Sequence, residues 1–253
     1  LVKDGQSSYY DRLILSSGSQ AHPQLGSDSQ VLNLSTKFGH RLINPYPALV
    51  PVVTTKVFTR NLDGVRCDAH LRLIKNNTLI DENFGNIIFT SWGLNGPGIM
   101  NLSHHVKNNT NIEIEIDFSA LLPDKFQSLL LFSQSIHSLY SSLMSILNIK
   151  IIDQVFSNLK WSRNTNYSGT NHIELIQNLR IRETILTTKG FDQAQTSTGA
   201  VSTDEINPES LESKICPGLF FSGETLDIFG PCGGFNLHWA FISGIIAGKL
   251  GVA

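Results

Sequence analysis

Charge is what this chain has least of: Asp, Glu, Lys and Arg make up 16% of its 253 residues, where about 25% is ordinary. Lys plus Arg number 19 and Asp plus Glu 21, so the formal net charge is -2 and no basic field exists to hold a polyphosphate backbone. Nucleic acid is therefore not expected as a main partner. Cysteine is scarce, with Cys67, Cys216 and Cys232 in no C-x-x-C pair, which argues against a disulfide framework and against a zinc site. A reducing cytoplasm fits that usage, and the expected metal complement is none. The N-terminus has no apolar core of a signal peptide. The most apolar late stretch, Ala240 to Val252, is broken by Gly244, Gly248, Lys249 and Gly251, too short for about 30 Å of hydrocarbon. The expectation is a chain that is soluble and spans no membrane. There is no repeat of 20 to 50 residues and no G-x-G-x-x-G anywhere. The first residue is Leu rather than Met, which raises the expectation of a fragment or a processed chain.

What is present is 41% apolar content, enough for one large core or two modest ones. Tyr10 to Ser16 is a short apolar run ending at Ser17-Gly18, the pattern of a parallel strand buried on both faces. Gln30 to Phe38 has helical spacing and stops at Gly39. From Pro45 the texture changes, and a strand is predicted from Val52 to Phe58. Residues 50 to 118 read as mainly β: Val65 to Ile74, Gly85 to Thr90, and Asn111 to Phe118, whose NIEIEIDF alternates strictly. Pro97 suits the first turn of a short helix. Pro123 to Lys150 reads as one or two packed helices, Asn158 to Asn171 as a polar loop, and Leu179 to Thr187 as β again. After Phe191 comes a buried strand at Gly218 to Ser222, two glycines, and a helix pattern through Leu237, Phe241 and Ile245. The fold class is α/β, with expected boundaries of 1–48, 49–190 and 191–253.

Among chemical motifs, Gly233-Gly234 before the last helix allows close backbone approach, and the helix start offers free N–H groups to an anion or a delocalised ring. A glycine pair also simply lets a helix turn over a sheet, and spacing does not decide between these. Glu224 and Asp227 follow a buried strand at its carboxyl end, where open α/β sheets bind ligands and a carboxylate can take a ribose or ribityl hydroxyl. Helix capping or solvation is the bland alternative. His104-His105 reads as a surface pair, since helical neighbours point apart and no carboxylate sits at a ligand spacing. His238 and Trp239 could face a planar ligand or the core. Cys232 has no paired cysteine and no obvious base, so it reads as inert.

In order along the chain, LILSSGSQAHPQLGS, IIFTSWGLNGPGIMNLS and EINPESLESKICPGLFFSGETLDIFGPCGGFNLHWAFISGIIAG resemble the bacterial flavoproteins of the BaiN type, also called the aminoacetone oxidase family. The last string resembles that family's closing signature of P-G-L-[FY]-F-x-G-E-x-L-D followed by G-x-x-G-G-[FY]-N-L-Q-W-A. The resemblance implies a Rossmann-like FAD-binding domain of the glutathione-reductase type, interrupted by an inserted β-barrel with helices. It places Gly223, Glu224 and Asp227 near the ribityl and pyrophosphate, and Gly233, Gly234, Phe235, Asn236 and Leu237 at the pyrimidine end of the flavin. Ser17 and Gly18 would correspond to a Thr-Gly that closes on the cofactor. The expected cofactor is FAD, with NAD(P)H a candidate electron donor.

The chain departs from the family at S-S-G-S for A-T-G-G, at Gly26 to Leu32, at Thr196 to Val201, and at His238 where the family has Gln. The greatest departure is the missing strand, G-x-G-x-x-G and helix. If about five apolar side chains of such a central strand lost partners worth roughly 1.5–3 kcal/mol each, the deficit would be about 8–15 kcal/mol. A lone chain is then expected to be fragile, with an N-terminal half-chain supplied separately, cut away or decayed. The function implied is the middle and C-terminal portion of a flavin-dependent oxidoreductase passing hydride or electrons through FAD to a small-molecule substrate, with no catalytic acid or base assigned. The alternative is a truncated, non-catalytic remnant acting as an interaction module.

Overall fold

The computed structural model of the protein describes residues 2–3, 6–7, 9–27, 30–107, 111–122, 138–166 and 168–250. Contacts divide the chain into two compact units, residues 1–50 with 189–253 and residues 51–188.

In the first unit, β1 (Val2–Lys3) and β2 (Gln6–Ser7) form a minimal antiparallel ladder. β3 (Leu13–Leu15) pairs in parallel with β12 (Leu219–Phe221), Leu13 opposite Leu219. Leu15, Leu219 and Phe221 are buried with Val201, Ile206, Leu211 and Leu226, and Trp239 and Ile246 of the last helix pack onto this cluster. Burial on both faces does not hold for β3, because Ile14 is 38% exposed. Among the described residues this parallel sheet has two strands. Helix α1 (Gln30–Lys37) ends as its sequence predicts, at a left-handed Gly39 with φ 91°. β4 (Tyr46–Ala48) pairs antiparallel with β11 (Thr196–Thr198).

The second unit contains a closed antiparallel barrel of order β10-β5-β8-β7-β6-β9. Its strands are β5 (Val52–Thr54), β6 (Arg66–Lys75), β7 (Thr78–Thr90), β8 (Gly93–Asn95), β9 (Ile112–Asp117) and β10 (Arg180–Thr188). Asn76 and Asn77 join β6 to β7 with φ of 50° and 61°, the two left-handed residues that a tight hairpin demands. Pro97 opens the four-residue helix α2 (Pro97–Met100), as expected. β5 is shorter than predicted: Lys56 turns left-handed at φ 54° and ends the run before Phe58.

β9 follows the alternation of NIEIEIDF, with Ile112, Ile114 and Ile116 fully buried. The polar face is covered as well. Glu115 stands directly opposite Arg72 of β6 and Arg182 of β10, and accepts from both at 2.9 and 2.8 Å. Burial alone would raise the Glu115 carboxyl, but these two guanidinium bonds outweigh it and hold it below the ordinary glutamate range. A depressed folded value contributes stability that is present above the unfolded value of about 4.3 and lost as pH falls through the folded one. The resistance of the barrel to urea is therefore expected to fall from pH 6 to pH 3, and Glu115→Gln to flatten that dependence. An unchanged slope in the variant would contradict it.

Helices α3 (Leu139–Leu143), α4 (Ile149–Leu159) and α5 (Gly169–Asn178) complete the unit. α5 overlaps the predicted polar loop. Ser168 caps it by accepting the Asn171 amide, which lets a start of Gly, Thr, Asn and His, all weak helix formers, go helical. Most of the helix expected between Pro123 and Lys150, including Leu129, Phe132 and Ile136, lies outside the described residues. No helix among the described residues is long and apolar enough to cross a membrane.

Candidate functional site

β3 and β12 run in parallel, so their carboxyl ends deliver Ser17-Gly18 and Gly223-Glu224 to one edge of the first unit. Gly18 and Gly223 both take left-handed φ, 78° and 62°, so each strand breaks sharply into a turn. Helix α6 (Phe235–Leu250) follows Gly233 and Gly234, whose φ of 122° and 90° are also glycine conformations. The His238 N–H bonds the Gly234 carbonyl at 2.9 Å, which leaves the amides of Gly234, Phe235, Asn236 and Leu237 ahead of the helical ladder.

Two concavities open at this edge. One, of about 380 Å³, is lined by Ser17, Gly18, Ser19, His22, Gln195 and Glu224. The other, of about 290 Å³, is lined by Gln195, Glu224, Cys232, Gly233, Gly234 and Leu237, with Leu49 and Asn236 also on its wall. Gln195 and Glu224 belong to both. Glu224 is half-buried and its carboxylate has no protein partner among the described residues. A Cβ built on Gly18 or Gly234 would meet nothing within 4 Å, so the space in front of these turns is open.

The sequence-predicted residues thus separate into two groups. Ser17, Gly18, Glu224, Gly233, Gly234, Asn236 and Leu237 line the concavities. Gly223, Phe235 and Asp227 do not, and each has a visible supporting task. The Gly223 amide donates to Ser243 Oγ at 2.8 Å and its carbonyl accepts Trp239 Nε1 at 3.1 Å, which ties the turn to α6. Asp227 Oδ1 accepts the Gly199 amide at 2.6 Å. The Phe235 ring lies back along its own loop, within 3.5 Å of where a Gly233 Cβ would stand. Even Asn236 uses its amide on the loop, accepting the Gly230 N–H at 2.7 Å and donating to the Gly230 carbonyl at 3.0 Å.

His238 is exposed, whereas Trp239 packs on the core. Cys232 Sγ lies 3.9 Å from Gln195 Oε1, and burial pushes its thiol above the ordinary range, so at neutral pH it stays protonated and unreactive. Cys67, inside the second unit, is pushed up to about 12, first by burial and then by the Asp68 charge.

Residue reading alone missed Gln195 and Leu49. Leu49 is buried with a left-handed φ of 49°, and its carbonyl accepts the Gln195 amide at 3.1 Å. No residue type announces either position. Near them, the hydroxyls of Thr196, Ser197, Thr198 and Thr225 are buried without a protein partner among the described residues. A buried hydroxyl left unbonded costs about 1–3 kcal/mol, so this neighbourhood has polar capacity to spare for water or a ligand.

A protein-family model described as the HI0933-like protein Rossmann domain matches residues 1–250. The chain is 31% identical, over 97% of its length, to a 3-dehydro-bile acid delta(4,6)-reductase of Clostridium scindens. It is 25% identical, over 92% and 91% of its length, to the ribosomal RNA dihydrouridine synthases of Escherichia coli and Haemophilus influenzae. The chain spans 63% of the first relative and 58% of each of the other two. With parallel strands, glycine turns and a glycine-led helix in this order, and a match across nearly its whole length, the chain belongs to the HI0933-like family of Rossmann-domain proteins.

Proposed function

We propose that this chain is part of a flavin-dependent oxidoreductase and that the edge carrying Glu224 receives FAD, the barrel of residues 51–188 being an insertion in the cofactor-binding unit. The observation that carries this reading is the pair of concavities meeting at Gln195 and Glu224, with a Ser-Gly turn at one end and a glycine-led helix start at the other. The residues fit the group. Glu224, half-buried and unpartnered among the described residues, suits a ribityl or ribose hydroxyl. The amides of Gly234 to Leu237 suit the electron-rich pyrimidine edge of a flavin. Gly18 and Gly234 admit close approach because neither carries a Cβ.

When bound, FAD would supply hydride transfer, chemistry that protein side chains do not perform. The chain's own residues then bind, orient and polarise. The helix start would stabilise negative charge on a bound flavin, and Gly223, through Ser243 and Trp239, holds that helix against the strand-end turn. The relatives' names, a reductase and a dihydrouridine synthase, both describe adding hydrogen to a carbon–carbon double bond. We extend that to an alkene conjugated with a carbonyl as the substrate class here. The low charge of this chain favours a small molecule over a polynucleotide.

The test is a fluorescence titration of the full chain with FAD. Saturable quenching of the flavin is expected, weakened about tenfold in Glu224→Gln, the equivalent of about 1.4 kcal/mol for one hydrogen bond. Unquenched flavin that separates fully from the protein on gel filtration would defeat the proposal.

A further inference from the structure

Residue spacing predicts no metal here, because no carboxylate lies at a ligand spacing from His104-His105. The structure supplies one from another element. Asp81 of β7 brings its carboxylate to this pair, and one ligand atom from each of Asp81, His104 and His105 lies within 4.8 Å of the others. From this arrangement we propose a divalent transition-metal site, of the kind that takes zinc(II), formed by Asp81, His104 and His105 on the wall of the barrel unit.

The local construction supports it. His104 and His105 sit in a one-turn 3-10 helix, Ser103–Val106, rather than an α-helix, and their rings stack with centroids 3.9 Å apart and planes 38° from parallel. The helix that leads into the turn, α2, is fastened to β7: Asn83 Nδ2 donates to the Gly98 carbonyl at 2.9 Å, and Gly85 and Gly98 let the two backbones touch where a Cβ on either would stand 3.0 to 3.1 Å from the other. His104 Nδ1 lies 3.0 Å from the Asn101 carbonyl, a bond that orients the imidazole and leaves Nε2 as the nitrogen that would meet the metal. His105 Nε2 is 2.9 Å from Asp81 Oδ2, where a metal ion would replace the shared proton. Asp81 Oδ1 is held by the Glu82 amide at 2.8 Å, which fixes the carboxylate plane.

Two imidazoles and a carboxylate suit zinc, with bonds of about 2.0–2.2 Å, and three protein ligands leave a position for water. Tetrahedral donors stand about 3.4 Å apart at such bond lengths, so the widest gap of up to 4.8 Å must close and the 2.9 Å pair of His105 and Asp81 must open slightly, movements within reach of side-chain rotation. The donors are partly exposed, His105 at 29% and Asp81 at 43%, so an ion can enter from solvent. The ion would clasp β7 to the 3-10 turn.

Zinc chloride titrated into the full chain at pH 7.5 and followed by calorimetry is expected to show one saturable equivalent. Asp81→Asn and His105→Gln should each weaken it at least tenfold, with circular dichroism showing that the fold is kept. Cobalt(II) added to the unmodified chain provides a reading that needs no variant: visible bands without a thiolate charge-transfer band are expected. Affinity in both variants unchanged from that of the parent chain, a thiolate band placing the ion on a cysteine, or no saturable binding would overturn the site.

Discussion

Replacing Glu183 by Ala is expected to destabilise the barrel unit by about 3–5 kcal/mol. The residue is 2% exposed, and its carboxylate accepts from Thr55 Oγ1 at 2.8 Å and from the amides of Val57, Phe58 and Thr59 at 3.0, 2.7 and 2.9 Å. Truncation removes all these bonds at once and leaves main-chain donors with no acceptor in a place water reaches poorly. Glu183→Gln keeps the volume but turns an amide group toward donors, so it should recover only part of the loss. Trp92 and Trp161 lie in residues 51–188 and Trp239 lies in the other unit. Urea unfolding read on Trp239→Phe isolates the barrel signal, where the midpoint shift should appear. A loss below 1 kcal/mol would show that the 55–59 loop is held by something else.

The second large effect belongs to the other unit. Gly199→Ala is expected to cost about 3 kcal/mol or more and, on the proposed function, to abolish flavin uptake. Gly199 has φ +78°, and a Cβ there would stand 2.2 Å from the Asn44 carbonyl oxygen and 2.9 Å from that of Ile43. Backbone atoms cannot swing aside, so the clash adds to a conformational penalty of about 1–2 kcal/mol. The same step also disturbs the Gly199 amide that Asp227 receives. Gly234→Ala is the instructive contrast. A Cβ there meets nothing within 4 Å, so only the penalty of its φ of +90° applies, about 1–2 kcal/mol. Stability should fall modestly while FAD affinity falls more, because the added methyl group occupies the space offered to the ring. Equal stability losses in the two variants, measured in Trp92→Phe/Trp161→Phe chains, would refute this division.

Elements whose physics is local could be read from the residues. The strand before Ser17, the stop at Gly39, the Pro97 helix start and the alternation of NIEIEIDF all rest on steric or periodic rules that act within a few residues. The glycine-led start of α6 was legible for the same reason. What stayed hidden depends on partners distant in sequence. Glu183 looks like the outward half of a strand until residues 55–59 close over it. Asp81 meets His105 from 24 residues away, so a spacing rule for metal ligands passes over it. Gln195 and Leu49 line the site because of where their backbone goes. Conversely, Asp227 and Asn236 carry the right chemistry for a ligand but spend it on Gly199 and on Gly230. Helix α5 was lost because a single serine cap offsets four weak helix formers.

The bonds made by Glu183 span 124 to 128 residues of chain. During synthesis on the ribosome, the stretch from Thr55 to Thr59 therefore emerges long before its acceptor has been translated. Until β10 leaves the exit tunnel, the nascent barrel has neither its closing strand nor the anchor of that loop. This half-made sheet is the stage at which a chaperone has most to protect.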